Sequence, residues 1–370
     1  MRSQKAAVLP DFPWDALRPY KELAASHPGG LVDLSIGTPV DPVPGETRQA
    51  LAAASDFPGY PLTIGTPRLR AALVAFLERN MAAQGLSEDQ VLPTVGSKEL
   101  VAHLPFQLGI GPGDKVAFPE VAYPTYEIGA RLCGAKPLPV DPLALIEGKP
   151  DGVKLLWLNS PGNPNGAVLS VSQMRRIVAW AREHGVVVAS DECYALLPWE
   201  VDEVPSILDP RVNDGSLDNL LCVYSLSKQS NLAGYRSAFI AGDGELIADL
   251  REIRRHSGLI MPGPNQAAMA HALADEVTPV RQREIYRRRR DVLAGAIRRA
   301  GGRIDDSVAG LYLWTTWEED CWESVQRLAK LGIICAPGIF YGKAGANYVR
   351  IAITATDVQV DAAAQRLLSL

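Results

Sequence analysis

Seven short apolar runs constrain this chain more than any other feature: residues 91–95, 115–119, 136–140, 153–158, 186–190, 220–224 and 237–241. Amphipathic segments at 99–108, 126–132 and 172–184 lie between several of them. In the last of these, Met174, Ile177, Val178 and Ala181 recur at helical period. Alternating strand and helix patterns predict a largely parallel sheet covered by helices. The runs are almost unbroken in apolar character, as strands buried on both faces should be. Beyond them, long helical patterns precede strand-like runs at 310–314 and 348–353 and a closing helix at 358–368, which read as a smaller α+β unit. The Pro/Gly-rich stretch 8–44 is too broken for regular structure over much of its length. It reads as an arm that packs on the rest of the chain or on a second subunit. The expected division is an arm with part of a small domain at 1–44, a large domain at 45–265 and a small domain at 266–370.

Charge and composition narrow the partners. A net charge of −5 gives no bulk attraction for nucleic acid or an anionic membrane. The run Arg287-Arg288-Arg289-Arg290 lies in a helical pattern over 280–300 with Ile285, Val292 and Ile297 interleaved, and reads as a solvated helix face. The five cysteines include no C-x-x-C pair, which suits a reducing cytoplasm. The start of the chain lacks the apolar stretch of a signal peptide. No apolar run approaches the ~20 residues that span a bilayer. The five histidines never fall at ligand spacing, so no metal site is expected.

Polar residues follow the predicted strands in turn, where ligands bind in open α/β sheets. Gly96-Ser97-Lys98 follows the first run, and Tyr123-Pro124 comes shortly after the second. Asn163-Pro164-Asn165-Gly166 follows the fourth, and Asp191-Glu192-Cys193-Tyr194 the fifth. Ser225-Leu226-Ser227-Lys228, with Arg236 further on, follows the sixth. Singly, each has a plain structural role: a turn, a helix cap, a polar loop. Together they describe a site for an aldehyde that bears a phosphate. Lys228 can form a Schiff base with the aldehyde. Ser225, Ser227 and Arg236 can hold a phosphate dianion, and helix-start amides at Ser97 and Lys98 can join them. That chemistry is pyridoxal 5′-phosphate (PLP). A carboxylate keeps its pyridine nitrogen protonated, for which Asp191 is the candidate. Tyr194 and Asn163 can donate to its phenolate oxygen, and Tyr123 can stack on its ring.

On these residues, with Ser35-Ile36-Gly37-Thr38-Pro39, Gly59-Tyr60-Pro61 and Tyr348-Val349-Arg350-Ile351-Ala352, the chain resembles the class I/II aminotransferases of PLP fold type I over nearly its whole length. The resemblance implies an aspartate aminotransferase-like α/β fold: a large domain with a mostly parallel seven-stranded sheet, and a smaller α+β domain. It implies a homodimer with shared sites, in which Tyr60 reaches the phosphate of the neighbouring subunit's cofactor. Arg350 would take the substrate α-carboxylate, aided by the backbone at Gly37 and by Asn163. Lys228, Asp191 and Tyr194 would be the catalytic set. Asn165 stands where the family usually has Thr or Ser.

Phrases such as Val8-Leu9-Pro10-Asp11-Phe12-Pro13-Trp14-Asp15 and Tyr60-Pro61-Leu62-Thr63-Ile64-Gly65-Thr66-Pro67 are similar to the actinobacterial N-succinyldiaminopimelate aminotransferases of the route to lysine. The alternatives are an aminotransferase for LL-diaminopimelate, aspartate or an aromatic amino acid, a PLP lyase, or a non-catalytic PLP-binding regulator. Arg18, Lys21, Lys98, Arg131 and Gln229 are the unranked candidates for reading a distal carboxylate.

Overall fold

The computed structural model describes residues 4–370. Among these, thirteen strands form three sheets. The short strand β1 (Val32–Asp33) belongs to the N-terminal arm. The large sheet contains β2 (Val91–Val95), β3 (Lys115–Phe118), β4 (Lys136–Pro139), β5 (Val153–Asn159), β6 (Val187–Asp191), β7 (Leu220–Ser225) and β8 (Ser237–Gly242), in the order β2-β8-β7-β6-β5-β3-β4. Each predicted run is therefore a strand, with limits within one residue of those expected. Only β8 runs antiparallel to its neighbours β2 and β7. Strands β5, β7 and β8 are buried almost throughout, which explains their lack of polar alternation.

Helices cover both faces. Val171–His184 begins with a capping box in which Gln173 N–H donates to Ser170 Oγ at 3.2 Å and Ser170 N–H to Gln173 Oε1 at 2.8 Å. It ends at Gly185, whose φ of 62° suits glycine. Its Met174, Ile177, Val178 and Ala181 face the sheet with no exposed surface to speak of. Burial of this kind contributes about 1.5–3 kcal/mol for each large apolar side chain.

The remaining strands are β9 (Arg303–Asp305), β10 (Tyr312–Thr316), β11 (Ile333–Ile334), β12 (Ala336–Pro337) and β13 (Val349–Ala352). They form the antiparallel sheet β12-β13-β10-β9 and the parallel pair β1-β11. The arm is more regular than its composition predicts. A 3₁₀ turn at Pro13–Leu17 leads into the helix Arg18–Ala25. Leu34 N–H then donates to Ile334 O at 2.7 Å, and Ala352 N–H to Leu34 O at 2.8 Å. Leu17, Ala24, Val32 and Leu34 share one apolar core with Leu313, Val325, Ile351 and Leu367. Pro and Gly interrupt the arm without preventing a helix of eight residues, because Pro19 falls in its first turn.

The arginine run departs from expectation. In the helix Val277–Arg299, Arg288 faces solvent, but Arg289 and Arg290 are buried. Arg289 forms a bidentate pair with Asp41 of the arm at 2.7 and 2.8 Å, and its Nε donates to Asp357 at 2.8 Å. Arg290 pairs with Glu200. The carboxylates that make burial tolerable come from distant parts of the chain, so a local reading of four consecutive arginines misses them. No helix among the described residues is long and apolar enough to cross a membrane.

Candidate active site

Five of the six parallel strands feed one end of the sheet with polar groups. Asp191 closes β6, and Ser225 closes β7. Asn159 closes β5, Gly96 follows β2, and the segment after β3 leads to Tyr123. From the smaller sheet, β13 brings Arg350 and β10 brings Tyr312, side by side through the Trp314↔Arg350 and Tyr312↔Ala352 register. The arm closes the site with Ser35 and Gly37.

Lys228 Nζ donates to Gly37 O at 2.5 Å. The residue keeps some solvent exposure, yet the protein packed around its amine pulls the pKa below the ordinary lysine value, and Arg350 and Arg236 push the same way against Tyr312 and Cys193. Asp191 is buried. Its Oδ2 accepts from Tyr126 Oη at 2.9 Å and its Oδ1 from Cys193 N–H at 3.2 Å. Burial raises its pKa despite these bonds, and no cation among the described residues pairs with it. The neighbouring acid Glu192 points away and accepts from Ile207 N–H at 2.8 Å. Tyr123 lies edge-on to Tyr126, and burial raises its phenol to about 12.

Arg350 is buried. Its Nη1 donates to Asn163 Oδ1 at 2.9 Å and its Nη2 to Ser35 O at 2.6 Å, while Nε has no partner. Its guanidinium lies 3.9 Å from the Tyr312 ring centre and 4.8 Å from that of Tyr341. Because Arg350 occupies the amide oxygen of Asn163, the amide NH₂ is the end free to donate to a ligand.

The anion cradle forms where β2 and β8 meet. The helix Ser97–Gln107 starts at Gly96 with no side-chain cap, so its first amides are free. Gly96 has a φ of 80°, and a Cβ there would sit 2.1 Å from Arg236 Nη2. Arg236 can reach this helix start only because the residue is glycine. Ser225 Oγ and Ser227 Oγ lie 2.8 Å apart. Free helix amides, two hydroxyls and a guanidinium suit a phosphate dianion. A buried carboxylate without a cation suits a protonated ring nitrogen. The residues present therefore fit PLP.

Of the predicted site residues, the structure gathers Gly37, Ser97, Tyr123, Asn163, Asp191, Tyr194, Ser225, Ser227, Lys228, Arg236 and Arg350 around these strand ends. Lys98 is exposed beside them, with its ammonium 6.0 Å from the Phe12 ring centre. Tyr60 is fully exposed and stands apart. The sequence reading assigned no role to Tyr126, which holds Asp191, or to Tyr312, which touches Tyr194 and Arg350. An aromatic residue inside an apolar run reads as core, so only three-dimensional neighbours reveal these two.

This sheet, with a lysine and a buried acid set on adjacent strand ends, defines a PLP-dependent enzyme of the aspartate aminotransferase-like fold. The chain belongs to the family "Aminotransferase class I and II", whose model matches residues 30–367; it is an aminotransferase, and its cofactor is PLP. It is 54% identical to the 4-dedimethylamino-4-oxo-anhydrotetracycline transaminase OxyQ of Streptomyces rimosus, over 97% of this chain and 99% of that one. It is 52% identical to a probable aminotransferase of Mycobacterium tuberculosis, over 99% and 87%. It is 30% identical to the LL-diaminopimelate aminotransferase of Aquifex aeolicus, over 100% and 98%. Among solved structures, an aminotransferase from Neisseria meningitidis superposes with a TM-score of 0.89 at 28% identity, covering 100% of this chain and 99% of that one. Aspartate aminotransferase from Thermus thermophilus with maleate gives 0.88 at 25% identity, covering both chains fully.

Proposed function

We propose that the chain moves an amino group between glutamate/2-oxoglutarate and N-succinyl-LL-2,6-diaminopimelate/N-succinyl-2-amino-6-oxopimelate, as a cytoplasmic homodimer with shared sites, in the route to diaminopimelate and lysine. PLP, when bound, takes up the electron pair released at the substrate α-carbon. Lys228 carries the cofactor and, as a neutral amine, removes the α-carbon proton of the amino donor and returns one to the oxo acid in the reverse half. Its lowered proton affinity supports that role. Asp191 keeps the ring nitrogen protonated, and Tyr194 and Asn163 donate to the ring oxygen. Arg350 holds the α-carboxylate through a planar fork, and the backbone at Gly37 lies against it.

The observation that carries the substrate reading is Lys98. Of the five candidates for a distal anion, Lys21 pairs with Asp33 at 3.0 Å and Arg131 with Glu127 at 2.6 Å. Gln229 is buried and uncharged; its amide oxygen accepts from Tyr224 Oη, so only its NH₂ could meet an anion. Arg18 is exposed at the start of the arm helix, which packs on Cys321–Lys330 and Ile333–Ile334. Lys98 has no ion-pair partner among the described residues, and it flanks the helix start beside Ser97. A succinylated substrate offers distal carboxylates to such a cation, whereas the free diamine offers an additional ammonium. The LL-diaminopimelate aminotransferases among the relatives support the same substrate class.

A second reading rests on the 54% identity to a transaminase whose name gives an oxo-anhydrotetracycline. Phe12, Trp14, Phe340 and Tyr341 form an aromatic wall, with Trp14 5.4 Å from Phe340 and 6.5 Å from Tyr341 between ring centres, and such a wall suits a polycyclic ketone. A donor panel with 2-oxoglutarate separates the readings. N-Succinyldiaminopimelate should exceed free diaminopimelate, aspartate and aromatic amino acids by well over tenfold in kcat/KM, the scale available to a polar site that pairs with a substrate group. A preference for another donor, or glutamate-dependent amination of a polycyclic ketone alone, overturns the leading reading.

A further inference from the structure

Tyr312 stands where Arg350, Tyr194 and Gly37 meet, outside the roles of the proposed chemistry. Its ring lies under Arg350, with the guanidinium 3.9 Å from the ring centre. Its hydroxyl is 3.4 Å from Tyr194 Oη, its hydrogen-bond partner among the described residues. It also crowds Gly37: a Cβ there would lie 2.3 Å from Tyr312 Oη. Gly37 in turn accepts from Lys228. Plain core packing would account for the ring. It does not account for a hydroxyl aimed at the tyrosine expected to hold the cofactor's ring oxygen.

The direction of the bond between the two hydroxyls follows from proton counting. A hydroxyl has one proton to give. If Tyr194 gives its proton to the ring oxygen of PLP, it must accept from Tyr312. Burial alone would raise the Tyr312 phenol, but Arg350 above all, with Lys228 and the bond to Tyr194 itself, outweighs it and leaves the O–H more acidic than an ordinary tyrosine. Tyr123, Tyr194, Tyr286 and Tyr341 also face it and carry no charge while protonated. The more acidic hydroxyl is the better donor, and a donor that itself accepts a bond donates more strongly.

We propose that Tyr312 is a positioning residue that acts through Tyr194: it donates to Tyr194, turns the Tyr194 proton toward the ring oxygen of bound PLP, and carries the electrostatic influence of Arg350 to that oxygen. The proposal rests on the assignment of Tyr194 as donor to the cofactor. Loss of a donor to the anionic ring oxygen raises the proton affinity of the cofactor's linkage to Lys228.

The test is a pH titration of the visible absorption band of the PLP-loaded, substrate-free enzyme. In Tyr312→Phe the apparent pKa should rise by about half a unit to one unit, the size of one modest hydrogen bond. Tyr194→Phe should raise it further, and the double variant should match Tyr194→Phe alone. Replacing Tyr312 by 3-fluorotyrosine, which keeps the shape and strengthens the donor, should move the pKa down and serves if Tyr312→Phe does not fold. An unmoved pKa at position 312 with a shift in Tyr194→Phe overturns the relay and leaves the Tyr194 assignment standing. A shift at 312 without one in Tyr194→Phe, or additive shifts in the double variant, overturns the route through Tyr194. A purely structural role would change thermal stability and leave the titration alone.

Discussion

Lys228 donates to the carbonyl oxygen of Gly37 across 191 residues of sequence. The contact lays the irregular part of the arm directly on the reactive amine. It also ties substrate access to a backbone group that no substitution removes without moving the chain. Gly37 has to be glycine here, because a side chain would run into Tyr312.

The neutral amine is the form that attacks an aldehyde. Burial holds the folded pKa of Lys228 below the ordinary value of 10.5, so the neutral fraction grows at lower pH than in a free lysine. Uptake of PLP by the apoenzyme should therefore accelerate with pH and level off at an inflection below 10.5. Stopped-flow absorbance measures it. Borohydride reduction and peptide mapping should place the pyridoxyl group on Lys228. Lys228→Ala should lose turnover by several orders of magnitude, and a label on another lysine refutes the assignment.

Asp191 presents a different balance. A carboxylate buried without a cation destabilises the apoenzyme. Its folded pKa is raised above 3.8, so the folded state binds more protons than the unfolded state in the interval between the two values. The cost is absent below 3.8 and fully present above the folded pKa. Asp191→Asn should melt at a higher temperature than the parent apoenzyme at neutral pH, with the gap closing as pH falls. The same change should lower kcat severely and weaken PLP retention. Calorimetry of the apo forms and steady-state kinetics of the loaded forms read the two effects separately.

Arg350 tests the carboxylate fork. Arg350→Lys keeps the charge but loses the planar geometry and cannot bond Asn163 and Ser35 at once. The expected cost is about 2–3 kcal/mol in kcat/KM, roughly 30- to 150-fold, for amino and oxo acids alike. An effect on only one partner substrate would mean that Arg350 does not hold the shared α-carboxylate.

The sequence disclosed the large sheet and the anion and lysine sites because both are local signals. A buried parallel strand is a continuous apolar run, and the polar groups at its end follow within a few residues, as Lys228 follows β7. What it did not disclose depends on distant partners. Arg289 reads as surface until Asp41, 248 residues away, is seen to clasp it. Tyr312 and Tyr126 read as core until their hydroxyls are found on Tyr194 and Asp191. Unranked cations became distinguishable only when ion pairs occupied Lys21 and Arg131.

The Asp41–Arg289 clasp should be worth more than a surface pair. Asp41→Ala strands a buried guanidinium on Asp357 alone, and Gln282 Nε2 loses its acceptor. About 2–4 kcal/mol of stability should be lost. Denaturant titration of the loaded dimer or monomer at fixed PLP measures it, and a loss below a few tenths would mean that solvent replaces Asp41. Arg288 and Arg289 hold the half-buried Asp357 below 3.8, so its contribution is present above that pH and disappears as pH falls through the lower folded value.

Tyr60 is fully exposed in the single chain, with Leu62 and Phe57 also exposed nearby in sequence. An aromatic residue so placed gains a role if a second copy covers it. The shared-site reading assigns its hydroxyl to the phosphate of the partner's cofactor. Tyr60→Ala should bind PLP more weakly, and Lys228→Ala should be inactive. Mixed under conditions that exchange subunits, the two inactive or impaired proteins should form hybrids in which one of two sites has both residues intact. Activity should rise above that of either parent toward one quarter of the wild-type level, since about half of the dimers are hybrids with one sound site. Fully active monomers in sedimentation, or no gain on mixing while exchange is verified by mass, would exclude a site completed by Tyr60 from a neighbouring subunit.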